Sequence, residues 1–188
     1  QEVVENVDPT LLLDEKEYTK LIKSNNYGKY IFVYSLVDDN KLFEIAEKLS
    51  EEKRLPIVEL RYEKIFKHRK YKQVADSGPE DFLGLVKNAE YVVTNSFHGT
   101  IFSIIFEKEF YSVYNEWGTS RIKTILEKVG LIDRYINDYE EISKLKSINF
   151  SNVKKEIKKL RKDSCDFLEE ALKVKEYEDV LENPDICT

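Results

Sequence analysis

From Tyr30 to Leu131 the chain alternates short apolar runs with longer stretches of helical periodicity, and this alternation restricts the fold more than any other feature. "YIFVYSL" (Tyr30 to Leu36) is compact, apolar and β-branched, which reads as a strand buried on both faces. "DDNKLFEIAEKLSEEK" follows it, with Leu42, Ile45, Ala46 and Leu49 at helical spacing and charge on the opposite side. "LPIVELR" is a second strand. "GPEDFLGLVKNA" is a helix with Pro79 in its first turn and acids beside it, which suits the helix dipole. "YVVTN" (strand), "HGTIFSIIFE" (helix), "EFYSVY" (strand) and "TSRIKTILEKVGL" (helix) continue the series. Strand and helix in turn predict parallel βαβ units, hence an α/β protein with an open parallel sheet and helices on both of its faces.

The flanks differ. Asp14 followed by Glu17 forms a capping pair for a helix expected to run to about Lys23. Between the second strand and the Pro79 helix lies a basic loop, "KIFKHRKYK" (Lys64 to Lys72), read either as a solvated loop or as a contact for an anionic glycan. After Asn152 the apolar residues Val153, Ile157, Leu160, Phe167, Leu168, Ala171 and Leu172 mark one long amphipathic helix to about Val174, with no strand after it. The expected division is 1–148 for the α/β unit and 149–188 for the helix and tail.

A chain of 188 residues is long enough for one domain with a real core. Its net charge of −6 argues against general nucleic-acid binding, which wants a broad basic face. Cys165 and Cys187 stand apart from any histidine cluster, so the chain shows neither a disulfide framework nor a zinc pattern and suits a reducing compartment. No apolar run approaches the roughly 18 residues of a membrane span, and no charged-then-apolar leader opens the chain. The chain starts at Gln1 and contains no methionine, so it is expected to be part of a longer protein. A cytoplasmic location follows as the expectation, peripheral to the inner membrane face at most.

"TNSFHGT" (residues 94–100) interrupts two apolar runs with small polar residues, a glycine and one of only two histidines. On a parallel sheet this break lies beyond the carboxyl end of a strand, where a helix begins and where α/β proteins bind ligands. Free N–H groups and the helix dipole there favour a phosphate or a carboxylate. Gly99 would let the backbone approach a ligand. Asn95, Ser96 and Thr100 can donate hydrogen bonds, and His98 can donate one or transfer a proton near neutral pH. The competing reading is that His98 caps the helix or satisfies a nearby carbonyl. No G-x-G-x-x-G or G-x-x-x-x-G-K-[ST] occurs, and no acidic or histidine cluster has metal-ligand spacing, so neither a nucleotide cofactor nor a metal is expected.

Taken in order, "VDPTLLLDEKEY", "YIFVYSL", "GPEDFLGLVKNAEYVVTNSFHGTIFSIIFEKEFYSV" and "SRIKTILEKVGLIDR" resemble the C-terminal half of the polysaccharide pyruvyl transferase family. The resemblance spans roughly residues 6 to 136, and "DSCDFLEEAL" is similar to the family's last helix. It implies a Rossmann-like domain, one half of a GT-B-like two-domain enzyme, with the acceptor site on an N-terminal half. It also implies that the last helix crosses back towards that half and packs only in part on this one. The donor would be phosphoenolpyruvate and the acceptor a sugar or lipid-linked glycan in a surface polysaccharide precursor. By the same resemblance His98 belongs to the donor pocket, with Asn95, Ser96, Gly99 and Thr100 at the helix start. Some members carry arginine where this chain has Ser96, and others just after the first strand, where it reads Ser35-Leu36. Arg121 and Lys123 are the candidate replacements, Arg121 being otherwise an exposed helix-start arginine. Glu80 is either a ligand contact at the same edge or a first-turn acid favoured by its dipole. Two alternatives remain: a GT-B-like glycosyltransferase with a nucleotide-sugar donor, and a non-catalytic binding module.

Overall fold

The computed structural model describes residues 6–23, 27–60, 71–75, 77–114 and 119–173. Six strands form one sheet: β1 (Ile31–Tyr34), β2 (Ile57–Leu60), β3 (Lys72–Val74), β4 (Tyr91–Thr94), β5 (Glu109–Val113) and β6 (Tyr135–Ile136). Every neighbouring pair is parallel, and the order across the sheet is β3-β2-β1-β4-β5-β6. The helices are α1 (Glu15–Thr19), α2 (Asn40–Lys53), α3 (Pro79–Asn88), α4 (Phe97–Ile105), α5 (Thr119–Lys128) and α6 (Phe150–Lys173). This is the Rossmann-like α/β fold with a long C-terminal helix.

Alternation along the strands builds two apolar layers. In β1, Phe32 enters the layer shared with α3, α4 and α5, whereas Ile31 and Val33 enter the layer under α2. β4 divides its side chains likewise, Val92 to the first layer and Val93 to the second. Both faces are covered, which is why these strands read as continuous apolar runs.

Two strands had no legible signal. β3 is an edge strand of Lys72, Gln73 and Val74, none of them buried. β6 has only two residues, and parallel pairing with β5 defines it rather than its own composition. The first helix is also shorter than expected. Asp14 caps it, accepting from the N–H groups of Lys16 and Glu17, but the helix ends at Thr19 instead of near Lys23.

Arg134 is buried and anchors the path from β6 to α6. It donates to Glu109 Oε2 at 3.0 Å and to the Lys146 carbonyl, while Ile148 N donates to Glu109 Oε1 at 2.7 Å. α6 then packs only in part on the domain, as expected. Val153 is buried and Ile157 and Leu160 are half-buried, but Leu168 and Leu172 are 39% and 72% exposed.

The first described residues form a strap over the α3, α4 and α5 side of the sheet, tied to α6. Val7 N donates to Ser164 Oγ at 3.0 Å, and Arg161 donates to the carbonyls of Leu11 and Leu13, each at 2.7 Å. The strap turns at Pro9–Leu11, a short 3₁₀ turn capped by Asp8. No helix among the described residues is long and apolar enough to cross a membrane.

Candidate functional site

The strand order reverses direction between β1 and β4, so the chain leaves their carboxyl ends on opposite courses and opens a crevice there. Thr94, the last residue of β4, closes the base of that crevice. Its hydroxyl donates to the Tyr34 carbonyl of β1 at 2.6 Å and accepts from Ser96 N at 3.0 Å. Asn95 joins the two loops above. Its Oδ1 accepts from Ser35 Oγ at 3.0 Å, and its Nδ2 donates to Asp39 Oδ2 at 3.2 Å. Asp39 in turn caps α2 by accepting from Leu42 N. Ser35, just after β1, is a buried hydroxyl holding the loop.

The start of α4 follows the same logic. Ser96 is its N-cap, accepting from Gly99 N at 3.4 Å. The Ser96 carbonyl receives both the N–H and the hydroxyl of Thr100, and the Thr100 and Ser112 hydroxyls are 2.7 Å apart. Asn95, Ser96 and Thr100 are all buried, and these internal partners occupy their side chains. Gly99 serves a close approach, but to the protein itself: a Cβ there would lie 2.3 Å from Thr94 Oγ1. These four residues build the turn, whereas the sequence had suggested them as ligand donors.

What the turn presents to solvent is His98, with Phe97 half-buried beside it. His98 is in the first turn of α4, at the carboxyl edge of the sheet, with its side chain 51% exposed. First-turn N–H groups at Phe97 and His98 have no carbonyl of their own helix to bond. The Phe97 and His98 rings meet edge to face with centroids 5.5 Å apart. Arg121, exposed on the first turns of α5, lays its guanidinium over the Phe97 ring, 4.5 Å from the centroid. Phe97 thus sets the spacing between two groups able to carry positive charge. Beside them is a cavity of about 300 Å³ lined by Asn6, Asp8, Phe97, Ser120, Arg121 and Lys128.

The remaining candidates stand elsewhere. Glu80 lies in the first turn of α3 with its carboxylate 3.8 Å from Lys23 Nζ, and it makes no described contact with the His98 group. Lys123 faces Glu127 on its own helix at 3.8 Å. Most of the basic segment 64–72, including His68, falls outside the described residues.

Asp8 belongs to the group and was not singled out from the sequence. Its Oδ1 lies 4.0 Å from His98 Nε2 and accepts from both Thr10 N (3.0 Å) and Thr10 Oγ1 (2.7 Å). Burial pushes its carboxyl upward, but the Thr10 hydrogen bonds and the charges of His98 and Arg121 hold it below the ordinary carboxylate range. Asp-Pro-Thr is the sequence trace of that turn, an N-cap followed by proline at the first position. Nothing local to those letters reveals that they meet His98.

Comparison with solved structures finds similarity to the crystal structure of Methanocaldococcus jannaschii UDP-GlcNAc 2-epimerase in complex with UDP-GlcNAc and UDP. That likeness has 15% identity, a TM-score of 0.47, and coverage of 81% of this chain. The chain spans about half, 48%, of that structure's length. No curated protein sequence matches the chain. A model of the polysaccharide pyruvyl transferase family matches residues 2–116, which takes in the Asp8 turn, β1 to β5 and the whole of "TNSFHGT". With well over half of its residues matched, the chain belongs to the polysaccharide pyruvyl transferase family.

Proposed function

We propose that this chain carries the donor side of an enzyme that moves the pyruvyl group of phosphoenolpyruvate onto two hydroxyls of a sugar. The acceptor is a sugar or lipid-linked glycan in a surface polysaccharide precursor, reached from the cytoplasmic side. The partner is an N-terminal half of the same protein in a GT-B-like pair. Residues 1–148 form the donor-binding unit and 149–188 its helix and tail. The observation that carries the reading is the exposed pair His98 and Arg121, held on either side of Phe97 at the start of α4.

The chemistry asks for such a pair. Enolpyruvate brings a phosphate and a carboxylate, which need cations and N–H dipoles. It also needs a proton on its methylene carbon. Once that carbon is protonated, the adjacent carbon becomes oxocarbenium-like and a sugar hydroxyl attacks it, giving up its proton to a base expected on the acceptor half. Phosphate leaves with the bonding electron pair, and a second hydroxyl closes the ketal as its proton departs. His98 is positioned for the first proton transfer or for holding the phosphate, and Arg121 for the carboxylate or phosphate.

The test uses the full-length protein with phosphoenolpyruvate and sugar acceptors. Acceptor-dependent phosphate release is expected, and His98→Ala should lower it about 10²-fold or more if His98 is the general acid. Wild-type-like activity in that variant would remove His98 from the chemistry. Turnover of UDP-sugars but not of phosphoenolpyruvate would transfer the site to the nucleotide-sugar reading. The 188-residue chain alone should release no phosphate, because the acceptor pocket and its base are expected on the other half. Multiple turnovers by this chain would sink the two-domain reading.

A further inference from the structure

We propose that Asp8 is the positioning residue for His98: its carboxylate, set against one nitrogen of the imidazole, fixes the ring so that the other nitrogen is presented to the ligand. The inference rests on the reading of His98 as the donor-side acid or phosphate ligand.

Three observations carry it. First, the contact joins two segments 90 residues apart: the 3₁₀ turn at Pro9–Leu11, whose Leu11 packs in the same apolar layer as α4, brings Asp8 Oδ1 to 4.0 Å from His98 Nε2 at the exposed start of that helix. Second, Asp8 is itself held from several sides. Thr10 donates to it twice, Val7 is tied to Ser164, and the Leu11 carbonyl is tied to Arg161. Tyr18 of α1 donates to the Thr10 carbonyl at 2.8 Å, which closes the strap from the remaining side. Third, the turn needs an oxygen at position 8 but not a charge, since asparagine caps such turns about as well as aspartate. The carboxylate therefore has a use beyond the turn. The charges acting on it are His98 from α4 and Arg121 from α5, Lys128 of α5 lines the cavity beside it, and His98 is the one whose ring nitrogen is set against its carboxylate at 4.0 Å. Arg121 is stacked on Phe97, and Arg161 is committed to backbone carbonyls. A base or acid steered by a third group is a general arrangement for proton transfer.

The experiment is a double-mutant cycle in the full-length protein with Asp8→Asn, His98→Ala and the pair. Asp8→Asn should lower kcat about ten-fold with little change in KM for phosphoenolpyruvate, and should cost less than about two-fold once His98 is already alanine. Equal losses in both backgrounds would mean that Asp8 acts without His98 and would overturn the proposal. A readout without activity separates this from failure of the pyruvyl-transfer reading. In the 188-residue chain labelled at histidine, Asp8→Asn should move the His98 ring nitrogen resonances while the α4 backbone amides stay in place. Unchanged ring resonances overturn the proposal whatever reaction the enzyme performs. Should asparagine loosen the strap, Asp8→Glu serves instead: its longer side chain keeps the charge but misplaces it, so the same ring movement is expected, and its absence counts equally against the proposal.

Discussion

Within residues 94–100 the inward-facing and outward-facing side chains have separate duties. Thr94, Ser96, Gly99 and Thr100 point into the protein and bond to each other, to β1 or to β5. His98 points out, and half-buried Phe97 lies at the rim; they meet groups from distant segments, Asp8 and Arg121. A small-polar motif beside a histidine looks like a binding loop from end to end, yet here most of its letters are architecture. What the turn leaves facing outward is one imidazole, two first-turn N–H groups and whatever other segments bring up to them.

The sharpest way to break this contrast is to separate stability from activity on its two sides. His98→Ala should cost about 10²-fold or more in activity, with a shift in unfolding free energy within about 0.5 kcal/mol, read by denaturant titration. Gly99→Ala should do the reverse. Its methyl group would meet the Thr94 side chain at the centre of the sheet edge, so a loss of about 1–3 kcal/mol in stability is expected. A Gly99→Ala protein of wild-type stability would mean that α4 can slide on β4 and that the inward side is looser than described. Thr100→Val keeps the shape but leaves the Ser112 hydroxyl without its partner, so about 1 kcal/mol should be lost.

The smallest effect tests the outward side. Asp8 titrates below its unfolded value, so it contributes stability above about pH 4, and that contribution is lost as pH falls through the folded value. The stability difference between wild type and Asp8→Asn should therefore shrink on acidification below pH 4, measured by thermal unfolding across pH. A difference that is flat with pH would show that the carboxylate's charge does not matter to the fold.

Much of this was legible in the sequence, for physical reasons that differ element by element. β1 and β4 were readable because both of their faces are buried, leaving runs that only a covered strand produces. His98 at a strand-to-helix break was readable because helix periodicity resumes immediately after Gly99. β3 was not, since an edge strand of lysine, glutamine and valine has no periodic signature. The internal use of Ser96 and Thr100 was not legible either: a hydroxyl that caps a helix and one that binds phosphate are the same letter. Asp8 was hidden by distance, because its partner is 90 residues away and nothing in Asp-Pro-Thr encodes that separation.

The lacing of the strap to α6 sets the order in which such a site can come into being during synthesis. Val7 and Ser164 are 157 residues apart, and Leu11 and Arg161 are 150 apart. A ribosome therefore releases β1, β4 and the whole of α4 long before it releases the residues that hold the strap down. Two of the ties on the strap can therefore form only after α6 has emerged, whereas Tyr18 and the packing of Leu11 can hold the Asp8 turn earlier. Long-range closure of this kind is slow and comes late. A nascent or truncated chain lacking α6 would have the sheet and the exposed histidine but only part of the lacing that holds Asp8 beside it, which would be complete once translation had passed Ser164.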